Sequence, residues 1–134
     1  MRCGRRRLLA AVGTLVLGAG CGEPSAATQF RRRLRTGDIA VRALSETKDA
    51  WVLEYLTAAS NTADLRGEAR RVAVAYAATV PAGDHRLDAT AVADAADALS
   101  AEWYAEGTWA RAHAAGDLST AAYLDRVAGT TDAF

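Results

Sequence analysis

Five residues near the C-terminus have types and spacing that could do chemistry. Glu102, Glu106, Trp109, His113 and Asp117 fall at i, i+4, i+7, i+11 and i+15. One unbroken helix would line them along a single face, and carboxylates with an imidazole are the ligand types of a divalent metal site. Successive members would stand roughly 6 Å apart along the axis, so the ends of the row cannot share one ion. The Glu-x-x-His pair of di-iron bundles is absent from the row. A solvated polar face is the expected role.

Other centres are excluded more directly. His85 and His113 are the only histidines, too few for a three-histidine zinc site within one chain. His85, set among Asp84, Arg86 and Asp88 after Pro81, reads as part of a soluble turn. No glycine-rich phosphate loop, G-x-S-x-G elbow or C-x-x-C-H haem attachment occurs. We expect no catalytic residue, no metal and no cofactor. Two groups could form a surface for a partner or ligand. Trp103, Tyr104 and Trp109 are the densest aromatic group; on a helix residues 103 and 104 would diverge by about 100°, so core packing is the expected role and a partly exposed ring for a partner the alternative. Arg42, Arg70 and Arg71, with the acids above, could instead line an internal pocket.

The N-terminus states where the chain goes. Leu8–Gly20 is an uncharged run of 13 residues, about 20 Å as a helix against a hydrocarbon core of roughly 30 Å. Arg2, Arg5, Arg6 and Arg7 precede it, and Gly18, Ala19 and Gly20 close it. A basic region, a short apolar run and a small-residue exit make a secretory signal. Leu17-Gly18-Ala19-Gly20-Cys21 resembles the cleavage motif of bacterial lipoproteins, with Leu17 one step further from the cysteine than is usual. The resemblance covers only these first residues. It implies cleavage before Cys21, a diacylglyceryl thioether on its sulfur and commonly an acyl chain on its new amino group. Arg5, Arg6, Leu8 and Leu9 resemble the export motif of twin-arginine signals, with Gly4 where serine or threonine is usual; general secretion is the alternative route. The abundance of alanine, with one lysine against 15 arginines, resembles proteins of high-GC actinobacteria.

These expectations divide the chain into a signal peptide at 1–20, a lipidated cysteine with its tether at 21–29 and one domain at 30–134. Without the four leader arginines the chain keeps 12 basic and 16 acidic residues, a net charge of about −4, which gives no electrostatic case for nucleic acid. Cys3 leaves with the leader, so disulfides within a mature chain are excluded. Arg31, Arg32, Arg33 and Arg35 follow Cys21 within 15 residues. At ~1 kcal/mol for each basic side chain near an anionic surface, this cluster could supply the second signal that steadies a lipid anchor.

The elements that must position all of this read as helices. A first helix starts at Phe30. A second runs from Asp38 as its cap through Val41, Leu44, Lys48, Trp51, Tyr55 and Ala59, with Val52 and Leu56 widening the stripe. Ser60-Asn61-Thr62 breaks it, and Leu65, Ala69, Val72, Tyr76 and Val80 form the next stripe, stopped by Pro81-Ala82-Gly83. A further helix from Asp88 or Thr90 carries Val92, Ala96, Leu99, Trp103 and Ala110, and Gly107 bends or ends it. Gly116-Asp117 supplies a stop followed by a cap for a short last helix with Leu118, Ala121, Leu124 and Val127. The expected fold is therefore all-α, a small antiparallel bundle of about four helices. Its core would hold Trp51, Tyr55, Leu56, Leu65, Val72, Tyr76, Leu99, Trp103 and Leu124. The functional expectation is a lipid-anchored domain on the outer face of the cell membrane, non-catalytic, meeting an envelope protein or ligand. The alternative is a small exported enzyme or ligand-binding bundle built on the arginine pocket.

Overall fold

The computed structural model describes residues 24–79 and 85–134. The leader, Cys21 and the Pro81-Ala82-Gly83 stop lie outside the described residues. The chain opens with helix α1 (Ala26–Thr36), whose N-terminus is capped by Ser25 Oγ accepting from the Thr28 N–H at 3.1 Å. Phe30 and Leu34, one turn apart, are the residues that α1 buries. The helix ends where Asp38 adopts φ +63°. Ile39 N–H returns to the Leu34 carbonyl at 2.9 Å and Asp38 N–H to that of Arg35 at 3.1 Å. This is the Schellman pattern, with Ile39 and Leu34 buried together.

Two strands follow where a helix was expected. β1 (Ala40–Glu46) and β2 (Ala50–Thr57) pair antiparallel, with Glu46 opposite Trp51. Thr47 closes the turn, its N–H and hydroxyl both donating to the Ala50 carbonyl at 2.8 and 3.0 Å. A register shift between Val41 and Ala43 leaves Arg42 as the extra residue of a bulge. Helix α2 (Thr62–Thr79) then crosses to β3 (Arg86–Ala93), which lies parallel to β2. Asn61 caps α2 through its side-chain oxygen, which accepts from the Asp64 N–H at 2.9 Å. β4 (Ala101–Ala105) returns antiparallel to β3, followed by α3 (Gly107–Ala114) and α4 (Thr120–Ala128). The cap of α4 is Ser119, whereas the sequence suggested Asp117.

The all-α bundle is thus corrected to an α/β fold: a four-stranded mixed sheet in the order β1-β2-β3-β4 with four helices among the described residues. Register explains the core. Trp51, Leu87 and Ala105 align across the sheet, as do Leu53, Ala89 and Trp103, and then Tyr55, Ala91 and Ala101. All nine are buried. Phe30 of α1 stacks on Trp51 with centroids 5.4 Å apart, and Tyr76 of α2 meets both rings edge-on. Tyr123 of α4 donates its hydroxyl to the Ala73 carbonyl at 2.7 Å. Of the expected core, Leu56, Leu99 and Leu124 are only half-buried. The opposite face of the sheet carries Val52, Glu54, Asp88, Thr90, Val92, Glu102 and Tyr104 in alternation with the buried set.

Candidate functional site

The polar groups that this fold brings together are arginines. On α1, Gln29, Arg32, Arg33 and Thr36 follow the i, i+3, i+4, i+7 spacing of one helix face. On α2, Arg71, Val74, Ala75 and Ala78 do the same, with Arg70 beside them. The two rows border one open groove of about 750 Å³, which Pro24 and Gly37 also line. None of Arg32, Arg33, Arg70 and Arg71 pairs with a carboxylate of the described residues. The local sequence explains why: Pro24–Thr36 and Ala69–Thr79 contain no acid. Val74, at 41% exposure, is with Val52 one of two exposed large apolar side chains among the described residues. The groove therefore combines a cationic rim with an apolar patch.

A buried polar pair links two strands of the sheet. Trp103 Nε1 donates to Tyr55 Oη at 3.1 Å, joining β4 to β2. Burial pushes the Tyr55 phenol up to about 12, against a lowering by the Trp103 hydrogen bond; Glu68 adds to the rise and Arg71 opposes it. Glu68 and Arg71 border a second, shallow hollow with Ala58, Ala59 and Gly67. Glu68 Oε1 is buried without a hydrogen-bond partner among the described residues.

The residues expected to form sites are distributed differently. Of the α1 cluster, Arg32 and Arg33 face the groove, while Arg31 donates to the Leu44 carbonyl at 3.2 Å and Arg35 is exposed. Arg70 and Arg71 join them, but Arg42 sits on β1 beside Glu54 at 3.7 Å. The pocket is an open groove between helices, and Arg42 does not line it. The row from Glu102 to Asp117 is broken up because β4, a cap and α3 replace the single helix. Glu102 is exposed on β4, Glu106 is the N-cap of α3 and Asp117 lies beyond its end. His113 stacks on Tyr123 at 5.1 Å, with Nδ1 3.1 Å from the Leu118 carbonyl. Among the described residues no group of three or more histidines, cysteines or acids could hold a metal ion.

The aromatic group also divides. Trp103 is buried, whereas Tyr104 stacks on Trp109 at 5.9 Å beneath the Arg86 guanidinium, 4.7 Å from the Tyr104 ring. Arg86 is itself paired with Asp88 at 2.9 Å and reaches Glu106 at 4.0 Å. Its charge is thus balanced, whereas the groove arginines have no carboxylate partner among the described residues. His85 offers its carbonyl to the Tyr76 hydroxyl, and its Nδ1 is buried without a partner among the described residues.

Residues 22–133 match the family described as Domain of unknown function (DUF8159). The chain belongs to that family. No curated protein and no solved structure matches it. The DUF8159 domain begins one residue after Cys21, and its first helix is capped four residues after it. No helix of the described residues is long and apolar enough to cross a membrane. Cys21, Leu17, Gly18, Ala19 and Gly20, with Arg5, Arg6, Leu8 and Leu9, lie outside the described residues.

Proposed function

We propose that this DUF8159 protein is a lipid-anchored domain on the outer face of the cell membrane that works by binding, through its arginine groove, and not by catalysis. The observation that carries the reading is the start of the family match immediately after Cys21. Everything before that residue has the composition of an export leader, and a diacylglyceryl group on Cys21 would hold the folded domain against the bilayer.

The chemistry of the groove supports binding over catalysis. Guanidinium groups stay protonated at physiological pH, so four of them bind anions and are poor proton-transfer groups. A small exported enzyme built on Arg42, Arg70 and Arg71 is the weaker reading, since Arg42 lies on the sheet beside Glu54 and away from the other two.

Metabolic labelling with an alkyne fatty acid, followed by protease treatment of intact spheroplasts, tests the proposal. We expect a labelled chain that external protease removes, with the label lost in Cys21→Ala. An unlabelled chain, or one shielded from protease until the cells are lysed, would contradict it.

A further inference from the structure

The groove has a rim of one charge, an apolar patch and a border at Pro24, three residues from Cys21 in the sequence, and these three features define an occupant. We propose that the α1/α2 groove binds an anionic phospholipid of the bilayer to which the protein is tethered, the phosphate facing Arg32, Arg33, Arg70 and Arg71 and the first methylenes lying against Val74, Ala75 and Ala78. This rests on the tethered reading for its source of lipid.

Charge complementarity is the first support. The chain from Cys21 onward is acidic by about four charges, yet the two helix segments that face the groove contain no acid. Four guanidinium groups with no carboxylate partner among the described residues are concentrated there, and an anion relieves their mutual repulsion. The planar fork of arginine matches a phosphate with two parallel hydrogen bonds.

Shape and apolar surface separate a lipid from other anions. A space of about 750 Å³ between two helices suits a headgroup with the start of its chains. An inorganic anion would make no use of Val74, which is exposed at 41% in the groove.

Position is the third support. Pro24 borders the groove and stands three residues from Cys21, a span of at most about 11 Å. A lipid on Cys21 would bring the groove to the headgroup layer, where the local concentration of phospholipid is high.

Native mass spectrometry of the full chain, extracted in a neutral detergent, tests this with dihexanoyl phosphatidylglycerol, dihexanoyl phosphatidylcholine and sn-glycerol 3-phosphate as separate probes. We expect one phosphatidylglycerol retained at least about tenfold more tightly than phosphatidylcholine or glycerol phosphate. Retention should fall about fivefold for each of Arg70→Gln and Arg71→Gln, the equivalent of ~1 kcal/mol per basic residue. It should also fall for Val74→Asp, and it should be unchanged in Arg42→Gln, which removes the same charge from the sheet. Thermal unfolding midpoints of the variants, expected to match the parent, separate lost binding from lost fold. Equal retention of both lipids, glycerol phosphate bound as tightly as phosphatidylglycerol, or equal losses in Arg42→Gln and Arg70→Gln would each overturn the proposal. Lipid preference in a chain whose Cys21 carries no lipid would keep the groove and overturn the tether. A lipidated Cys21 without preference would do the reverse.

Discussion

Tyr55 lies on the buried face of β2, and its hydroxyl accepts from Trp103 Nε1 at 3.1 Å. Its phenol is raised from 10 to about 12, chiefly by burial. A raised value in the folded chain favours the neutral form, so this contribution is complete below pH 10 and is lost as pH rises from 10 to 12. At 1.36 kcal/mol per unit the loss is about 3 kcal/mol. Burial raises Tyr123 in the same direction, which steepens the same decline. Urea unfolding at pH 8 and pH 11.5 should show a clear fall in midpoint, smaller in Tyr55→Phe. At pH 8 that variant should lose about 1–3 kcal/mol because Trp103 Nε1 is left without an acceptor. Backbone geometry supports a second prediction. Asp38 holds φ +63°, a conformation that costs L-residues roughly 1–2 kcal/mol and glycine very little. After glycine's greater unfolded-state entropy is set against this, Asp38→Gly should stabilise the chain by about 0.5–1 kcal/mol in urea unfolding.

At the scale of elements, α1 holds half of the groove, and its attachment rests on Phe30 and Leu34. Phe30 stacks on Trp51 and meets Tyr76 edge-on, with centroids 5.4 and 6.1 Å away. Phe30→Ala should cost about 3–5 kcal/mol, measured by chemical denaturation, and should weaken binding in the groove while leaving every arginine in place. Some elements were legible. Leu65, Ala69, Val72 and Tyr76 form one stripe because α2 buries a single side. The strands were not. In β2 both faces are apolar, with Val52 and Leu56 opposite Trp51, Leu53 and Tyr55, so alternation is blurred, and Trp51 and Tyr55 also satisfy a helical period. In β3 the buried side is Leu87, Ala89 and Ala91, whose small alanines hide the alternation with Asp88, Thr90 and Val92. The residues Thr47-Lys48-Asp49 were the missed turn signal, since Lys48 fitted the helical stripe. In the groove the sequence shows the arginines without their convergence: Arg32 and Arg33 read as membrane contacts, Arg70 and Arg71 as pocket residues. Their convergence depends on α1 packing against α2 across an intervening hairpin, which no local pattern encodes.

Over the whole molecule, charge is paired unevenly. Arg32, Arg33, Arg70 and Arg71, with no carboxylate partner among the described residues, gather between α1 and α2, whereas on the sheet Arg42 and Arg86 pair with Glu54 and Asp88. The groove is open to solvent, so its attraction for anions is screened within about 10 Å at 0.1 M salt. Binding of anionic short-chain lipid should therefore weaken several-fold between 50 and 500 mM sodium chloride, as followed by titration calorimetry, while the midpoint of unfolding barely moves. Insensitivity to salt would mean that contact with Val74 and the alanines dominates and that the arginines contribute little. Where the molecule works rests on Cys21, and the most direct measurement is the intact mass of the protein extracted from membranes beside its Cys21→Ala variant. The account predicts a chain that begins at Cys21 and carries diacylglyceryl and acyl mass, both lost in the variant. A full-length chain of unmodified mass would contradict it.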